Sequence, residues 1–122
     1  LGCPDQNVRS TQVELFGPVM SVLQFETEAE AVNMANDTEF GLGAGIFTRD
    51  VSRVHRVSRA IRSGIVWVNT YRAVSPIAPF GGFGNSGSGR EAGVDAIHEF
   101  TTTKTIWINT SSEPMANPFT MR

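Results

Sequence analysis

The residues of this 122-residue chain whose types could do chemistry include one thiol, two imidazoles, scattered carboxylates and a run of glycines. Cys3 is the lone cysteine, so no internal disulfide can form. His55 and His98 have no partner at zinc-ligand spacing; no metal is expected, and both read as structural. Gly82-Phe83-Gly84-Asn85-Ser86-Gly87 spells G-x-G-x-x-G, a phosphate-cradling fingerprint of dinucleotide-binding folds. That chemistry needs a strand directly before the glycines. Pro76-Ile77-Ala78-Pro79-Phe80 stands there instead, and two prolines in five residues do not make a central strand. The match is a decoy.

The elements that would position any site alternate strand and helix. Pro18 to Phe25 is a short apolar run that reads as a buried strand. Thr27 and Glu30 form a capping box for a helix running to about Asn36. Gly45 to Thr48 reads as a second strand, and Asp50 caps a helix from Val51 to Arg62. Val51, Val54, Val57 and Ile61 give that helix an apolar stripe, and Gly64 suits a left-handed residue beyond its end. Ile65 to Asn69 is apolar almost throughout, as in a parallel strand covered on both faces. Tyr71 to Gly89 has no regular period and reads as a long shaped loop. A helix from about Arg90 to Phe100 is expected next, then a strand from Thr103 to Asn109 and an irregular tail. The order implies an α/β fold, a parallel sheet with flanking helices and right-handed crossovers.

Composition excludes more than it specifies. A formal charge of −2 offers no footprint for nucleic acid or an anionic membrane. No apolar run reaches the ~18 residues a membrane span requires. The first residues lack the basic-then-apolar order of a signal peptide, so a reducing cytoplasm is expected. The sequons at Asn36 and Asn109 then count as chance. A free-standing domain this long is expected to bury roughly two-thirds of its unfolded surface around one core.

The wider string around the decoy is far more specific. Pro79-Phe80-Gly81-Gly82 followed by Ser86-Gly87-Ser88-Gly89-Arg90-Glu91 closely resembles the aldehyde dehydrogenase superfamily. Glu14-Leu15-Phe16-Gly17-Pro18-Val19, the stretch from Gly41-Leu42 to Asp50, and Gly64-Ile65-Val66-Trp67-Val68-Asn69 resemble further segments of that family in the same order. The similarity runs from about Val8 to Asn109.

That resemblance implies a parent enzyme oxidising an aldehyde to a carboxylic acid with NAD or NADP. A cysteine thiolate attacks the aldehyde, the thiohemiacetal gives up hydride, and a glutamate-activated water releases the acid. Both of those residues lie upstream in the family. Cys3, in Leu-Gly-Cys-Pro-Asp, lacks the nucleophile's G-Q-x-C setting and reads as an inert thiol. On this resemblance residues 1–101 are the second half of the catalytic domain and 102–122 an oligomerisation strand and tail. The fragment alone is expected to be inactive.

Residue by residue, the resemblance makes Glu14 the acceptor for the nicotinamide-ribose hydroxyls and Phe16 the residue against the nicotinamide ring. Tyr71, Phe80 and the loop to Ile77 match the wall of the substrate tunnel. Glu91 matches a carboxylate behind the active site, where a proton relay and a helix-N-terminus anchor both stay open. Arg90 is expected to anchor its loop, and Asn69 to hydrogen-bond a turn. Arg72 reads as a solvated arginine, with preference for an acidic aldehyde the alternative. Thr103 to Asn109 matches the strand that pairs with a neighbouring subunit in a homodimer or homotetramer.

The chain departs from the family at three places. Gly84 stands where lysine is common, Val13 replaces an acid, and Thr101 to Thr103 replaces a glutamate near the subunit contact. The rival reading is a non-catalytic binding or structural module on the same fold.

Overall fold

A computed structural model describes every residue except 1, 4, 116, 118, 121 and 122. Its centre is a βαβ unit: β2 (Gly43–Ile46), α3 (Val51–Ala60) and β3 (Ile65–Val68). The two strands pair in parallel, Gly43 opposite Ile65 and Ile46 opposite Val68. Asn69 prolongs the ladder. Its N–H donates to Ile46 O (2.8 Å), and its side-chain amide exchanges two 2.9 Å bonds with the Thr48 backbone. Asparagine tolerates the left-handed angle found there, φ 54°. The expected turn role is met.

Ahead of this unit lie α1 (Arg9–Gln12), α2 (Glu28–Asn36) and the short β1 (Phe40–Gly41). The Thr27 hydroxyl accepts from Glu30 N (3.2 Å) as expected. Glu30 reaches back to Glu26 N (2.7 Å), one residue before the cap. Asp50 caps α3 by accepting from Arg53 N (3.1 Å), and Val54, Val57 and Ile61 are half-buried. The ends of α2 and α3 are tied by Asn36, which donates to Ala60 O (2.8 Å) and accepts from Arg62 N (2.7 Å). The first sequon's amide is therefore already occupied.

Several expectations fail, each for a local reason. Pro18 to Phe25 is no strand; a single parallel bridge joins Gly2 to Val22. The helix expected from Arg90 begins only at Val94 and is a 3₁₀ helix, η1 (Val94–Phe100). Arg90 and Glu91 lead instead into backbone pairing with Phe80, and Ala92 (φ 57°) and Gly93 (φ 65°) turn the chain out of helical geometry. Gly64 does not hold left-handed backbone. Thr103 to Asn109 pairs with no described strand of this chain, and the neighbouring subunit expected to cover it is a separate chain.

The largest departure is the missing core. Among the described residues only Gly41 and Gly82 are buried, and no apolar side chain is. The accessible surface is 10367 Å², against about 6,400 Å² for a compact monomer of this mass. Phe16, Val94, Phe100, Trp107 and Phe119 are each at least 87% exposed. The βαβ unit holds through backbone bonds and half-buried contacts. The two-thirds burial expected of a free-standing domain is not reached.

Between α2 and α3 the main polar link is Glu28, which accepts from Arg53 Nε (2.9 Å), Arg56 Nε (3.0 Å) and Arg56 Nη2 (2.9 Å). Hydrogen bonds from Arg56 and then Arg53 hold its carboxyl at about 2, below its usual 4.5. A carboxyl depressed on folding stabilises above its unfolded value and loses that contribution as pH falls through the folded one. Both arginines are about half exposed (49% and 56%), so solvent screening keeps the effect small. Glu28→Gln should therefore lower thermal stability at neutral pH, with the gap to wild type closing between pH 4.5 and 2. Melts followed by circular dichroism across that range check it; a gap that persists at the acid end contradicts a charge-based role.

Candidate functional site

Glu14 and Phe16 follow directly on α1, whose short span shows no apolar period and which sequence reading missed. Two glutamine amides place it. Gln6 and Gln12 both donate to Asp37 O (3.1 and 3.0 Å) at the end of α2, and Gln6 also donates to Met34 O (3.2 Å). Val13 then leaves the helix in extended geometry (φ −114°, ψ 147°), and Glu14 comes next.

Glu14 is exposed and makes no hydrogen bond or ion pair with any described residue. It lines a cleft of about 550 Å³ shared with Phe16, Ser10, Thr11 and Ser21. It also lines a second cleft of the same volume, beside Asn85 and Ser86 of the glycine loop. Phe16 is 95% exposed and sits in left-handed backbone at φ 47°. The hydroxyl residues of the first cleft lie in a stretch whose only sequence signal was the motif around Glu14.

Cys3 lies at the edge of the same region, its Sγ 3.7 Å from Ser10 Oγ. Hydrogen bonding with Ser10 draws its thiol below the usual value, against the opposing effect of desolvation.

The loop from Tyr71 to Gly89 is shaped by tethers at both ends. Trp67 Nε1 donates to Ala73 O (2.6 Å), and the Tyr71 ring meets Trp67 edge-on at 5.1 Å and 71°. Further along, β4 (Phe83–Gly84) pairs antiparallel with β1. Phe80 and Glu91 exchange two backbone bonds of 2.7 Å each. Arg90 binds the loop as expected: Nη1 donates to Gly82 O (2.9 Å) and Gly89 O (2.8 Å), and its guanidinium lies 5.0 Å over the Phe83 ring.

Phe80 and Glu91 share a cleft of about 700 Å³ with η1, and Phe80 also lines a small cavity of about 200 Å³ with Ala73 and Val74. Tyr71 lines neither and is 63% exposed. Among the described residues the structure thus joins Glu14 with Phe16, and Phe80 with Glu91, but leaves Tyr71 against Trp67. Glu91 precedes η1 by three residues. Gly84 explains its own departure: at φ 57°, a Cβ there would overlap the Glu39 carbonyl oxygen. Among the described residues no group of three His, Cys, Asp or Glu side chains could hold a metal, and no helix is long and apolar enough to cross a membrane.

The profile of the Aldehyde dehydrogenase family matches residues 3–106. A (Z)-2-((N-methylformamido)methylene)-5-hydroxybutyrolactone dehydrogenase of Acinetobacter baylyi is 59% identical over 116 residues, covering 95% of this chain and 24% of that protein. The NADP/NAD-dependent aldehyde dehydrogenase PuuC of Escherichia coli is 46% identical, covering 86% of this chain and 21% of its own. Among solved structures, a betaine aldehyde dehydrogenase of Staphylococcus aureus superposes with TM-score 0.85 at 36% identity, covering 98% of this chain and 24% of that one. An indole-3-acetaldehyde dehydrogenase of P. syringae in complex with NAD+ gives TM-score 0.82 at 45% identity, covering 88% and 22%. The chain spans about a quarter of the length of the relatives it matches.

The glycine loop is seated by a close backbone approach at Gly64. Gly64 donates to Gly41 O (3.0 Å), and a Cβ on Gly64 would overlap the Gly81 carbonyl oxygen. Gly64→Ala must push the loop off the β3 entry. A loss of about 1–3 kcal/mol is expected for forced overpacking, read as a lower urea midpoint. An unchanged midpoint would show that the loop does not rest on this contact.

Proposed function

The chain belongs to the aldehyde dehydrogenase family, and on that premise we propose that it is one part of a longer enzyme that oxidises an aldehyde to a carboxylic acid with NAD or NADP. The family match carries the activity. The excess of some thousands of Å² over a compact monomer supports the partial span, because isolated globular domains do not leave so much apolar surface in water. The nucleophilic cysteine and the general base belong to the upstream remainder.

Glu14 and Phe16 fit the nicotinamide end of the cofactor. The cleft they line is of ligand size, and the Glu14 carboxylate, unengaged within the described chain, can accept both hydroxyls of a ribose. When bound there, the cofactor supplies the hydride acceptor. Glu14 sets its depth and Phe16 its face. Phe80 forms part of the substrate wall, with Tyr71 at its outer end braced by Trp67. Glu91, held by the Phe80 backbone, stands as a proton-relay carboxylate at the rear.

The substrate class is an aldehyde; the Acinetobacter baylyi relative is named for a hydroxybutyrolactone. Residues 1–101 form the catalytic part, and 102–122 form the strand and tail that join subunits of a homodimer or homotetramer. Ile106, Trp107 and Ile108 support that role: in an extended strand Ile106 and Ile108 take one face and Trp107 the other, and they are 67%, 92% and 79% exposed, which suits a strand covered from outside. A cytoplasmic location goes with the lone cysteine.

Two experiments test this reading. The purified 122-residue chain should show no NAD-dependent aldehyde oxidation; turnover abolished by replacing Cys3 would mean the nucleophile lies here after all. In the full-length enzyme, Glu14→Gln should lower kcat by roughly ten- to a hundred-fold, the loss of one charge-assisted bond felt in the transition state. Unchanged kcat with a large rise in cofactor Kd would contradict the positioning role.

A further inference from the structure

Left-handed backbone is uncommon in residues with a Cβ and gathers where something beyond the local chain demands it. Four described residues other than glycine adopt it: Phe16, Asn69, Arg72 and Ala92. Asn69 is accounted for by its paired bonds to Thr48. Ala92 turns the chain from the Phe80–Glu91 bridge to Gly93, whose N–H reaches Pro76 O (2.9 Å). Phe16 belongs to the nicotinamide cleft. Arg72, at φ 61°, has no such explanation.

Its surroundings are fixed while its charge is not engaged. The neighbouring residues are held by the Trp67–Ala73 bond and the Trp67–Tyr71 ring contact. Yet the Arg72 guanidinium makes no hydrogen bond or ion pair with any described residue. Arg53, Arg56, Arg62 and Arg90 are all engaged. Arg9, Arg49 and Arg59 are not, but none has left-handed backbone and none lies on the tunnel loop. From Val51 to Arg90 the sequence contains no Asp or Glu, so this part of the chain offers Arg72 no counter-charge.

We propose that Arg72 is a specificity residue of the substrate tunnel, selecting aldehydes that carry a carboxylate at the end remote from the reacting carbonyl. The inference rests on the reading of Tyr71 to Ile77 as tunnel wall. A planar guanidinium takes a carboxylate through two parallel N–H···O bonds, which fixes orientation as well as charge. The rigid turn holds the base of the side chain, so less freedom is lost when the acid binds.

The test uses the full-length enzyme with two probes of equal chain length, succinic semialdehyde and butanal. Arg72→Asn removes the charge and keeps a residue that accepts the left-handed angle; Arg72→Lys keeps the charge without the fork. Wild type should favour the semialdehyde. Arg72→Asn should lower kcat/KM for it roughly ten- to a hundred-fold while butanal changes by less than about two-fold. Arg72→Lys should restore part of the loss. Added salt should depress semialdehyde turnover in wild type and leave the Asn variant little changed. Equal losses on both aldehydes, or no loss on either, overturn the proposal and leave the aldehyde dehydrogenase reading standing. Absence of turnover of either aldehyde by the wild-type enzyme overturns both.

Discussion

The parallel pairing of β2 with β3 is the contact on which the glycine loop and the turn after β3 rest. Its bonds continue outward at both ends, through Gly64 to Gly41 and through Asn69 to Ile46. The glycine loop lies against the β3 entry because Gly64 has no side chain to hold it away. The Trp67 side chain, on the same strand, holds the turn that carries Tyr71 and Arg72. One short ladder therefore sets the position of the whole candidate substrate wall. Glu14 is placed separately, through the glutamine contacts that join α1 to the end of α2.

Such a ladder holds without a core only as far as backbone bonds can carry it. Apolar side chains that would normally drive folding stand in water here, from Val13 through Phe25 and again from Val94 onward. These stretches flank the two candidate clefts. The surface that wants covering is thus the surface around the chemistry, as expected if the active centre is assembled from sequence beyond this part. The family relatives, about four times as long, have the chain to supply it.

What could be read from sequence follows from how local each signal is. The Thr27 and Asp50 caps, α2, α3 and β3 were legible because capping residues and helical spacing act within a few residues. The Pro18 to Phe25 run was misread because strand formation needs a partner, and apolar character alone does not supply one. The start of η1 was misplaced because Glu91 pairs with Phe80, a contact across the loop that no window reveals. For Gly64 the fault lay in the reason assigned to it: close approach to Gly81, where a helix end had suggested handedness. Glu14, Phe16 and Phe80 could be named from motif. The exposed setting of Phe16, and an Arg72 charge unengaged by any described residue, could be seen only in the folded chain.

The two backbone bonds between Phe80 and Glu91 have a mechanical meaning as well as a structural one. A pair joined in both directions at 2.7 Å ties the two main chains together at that point. In the proposed tunnel, a shift of the main chain at Phe80 would therefore be felt at the main chain of Glu91. The wall and the carboxylate, far apart in role, thus share one anchor in the backbone.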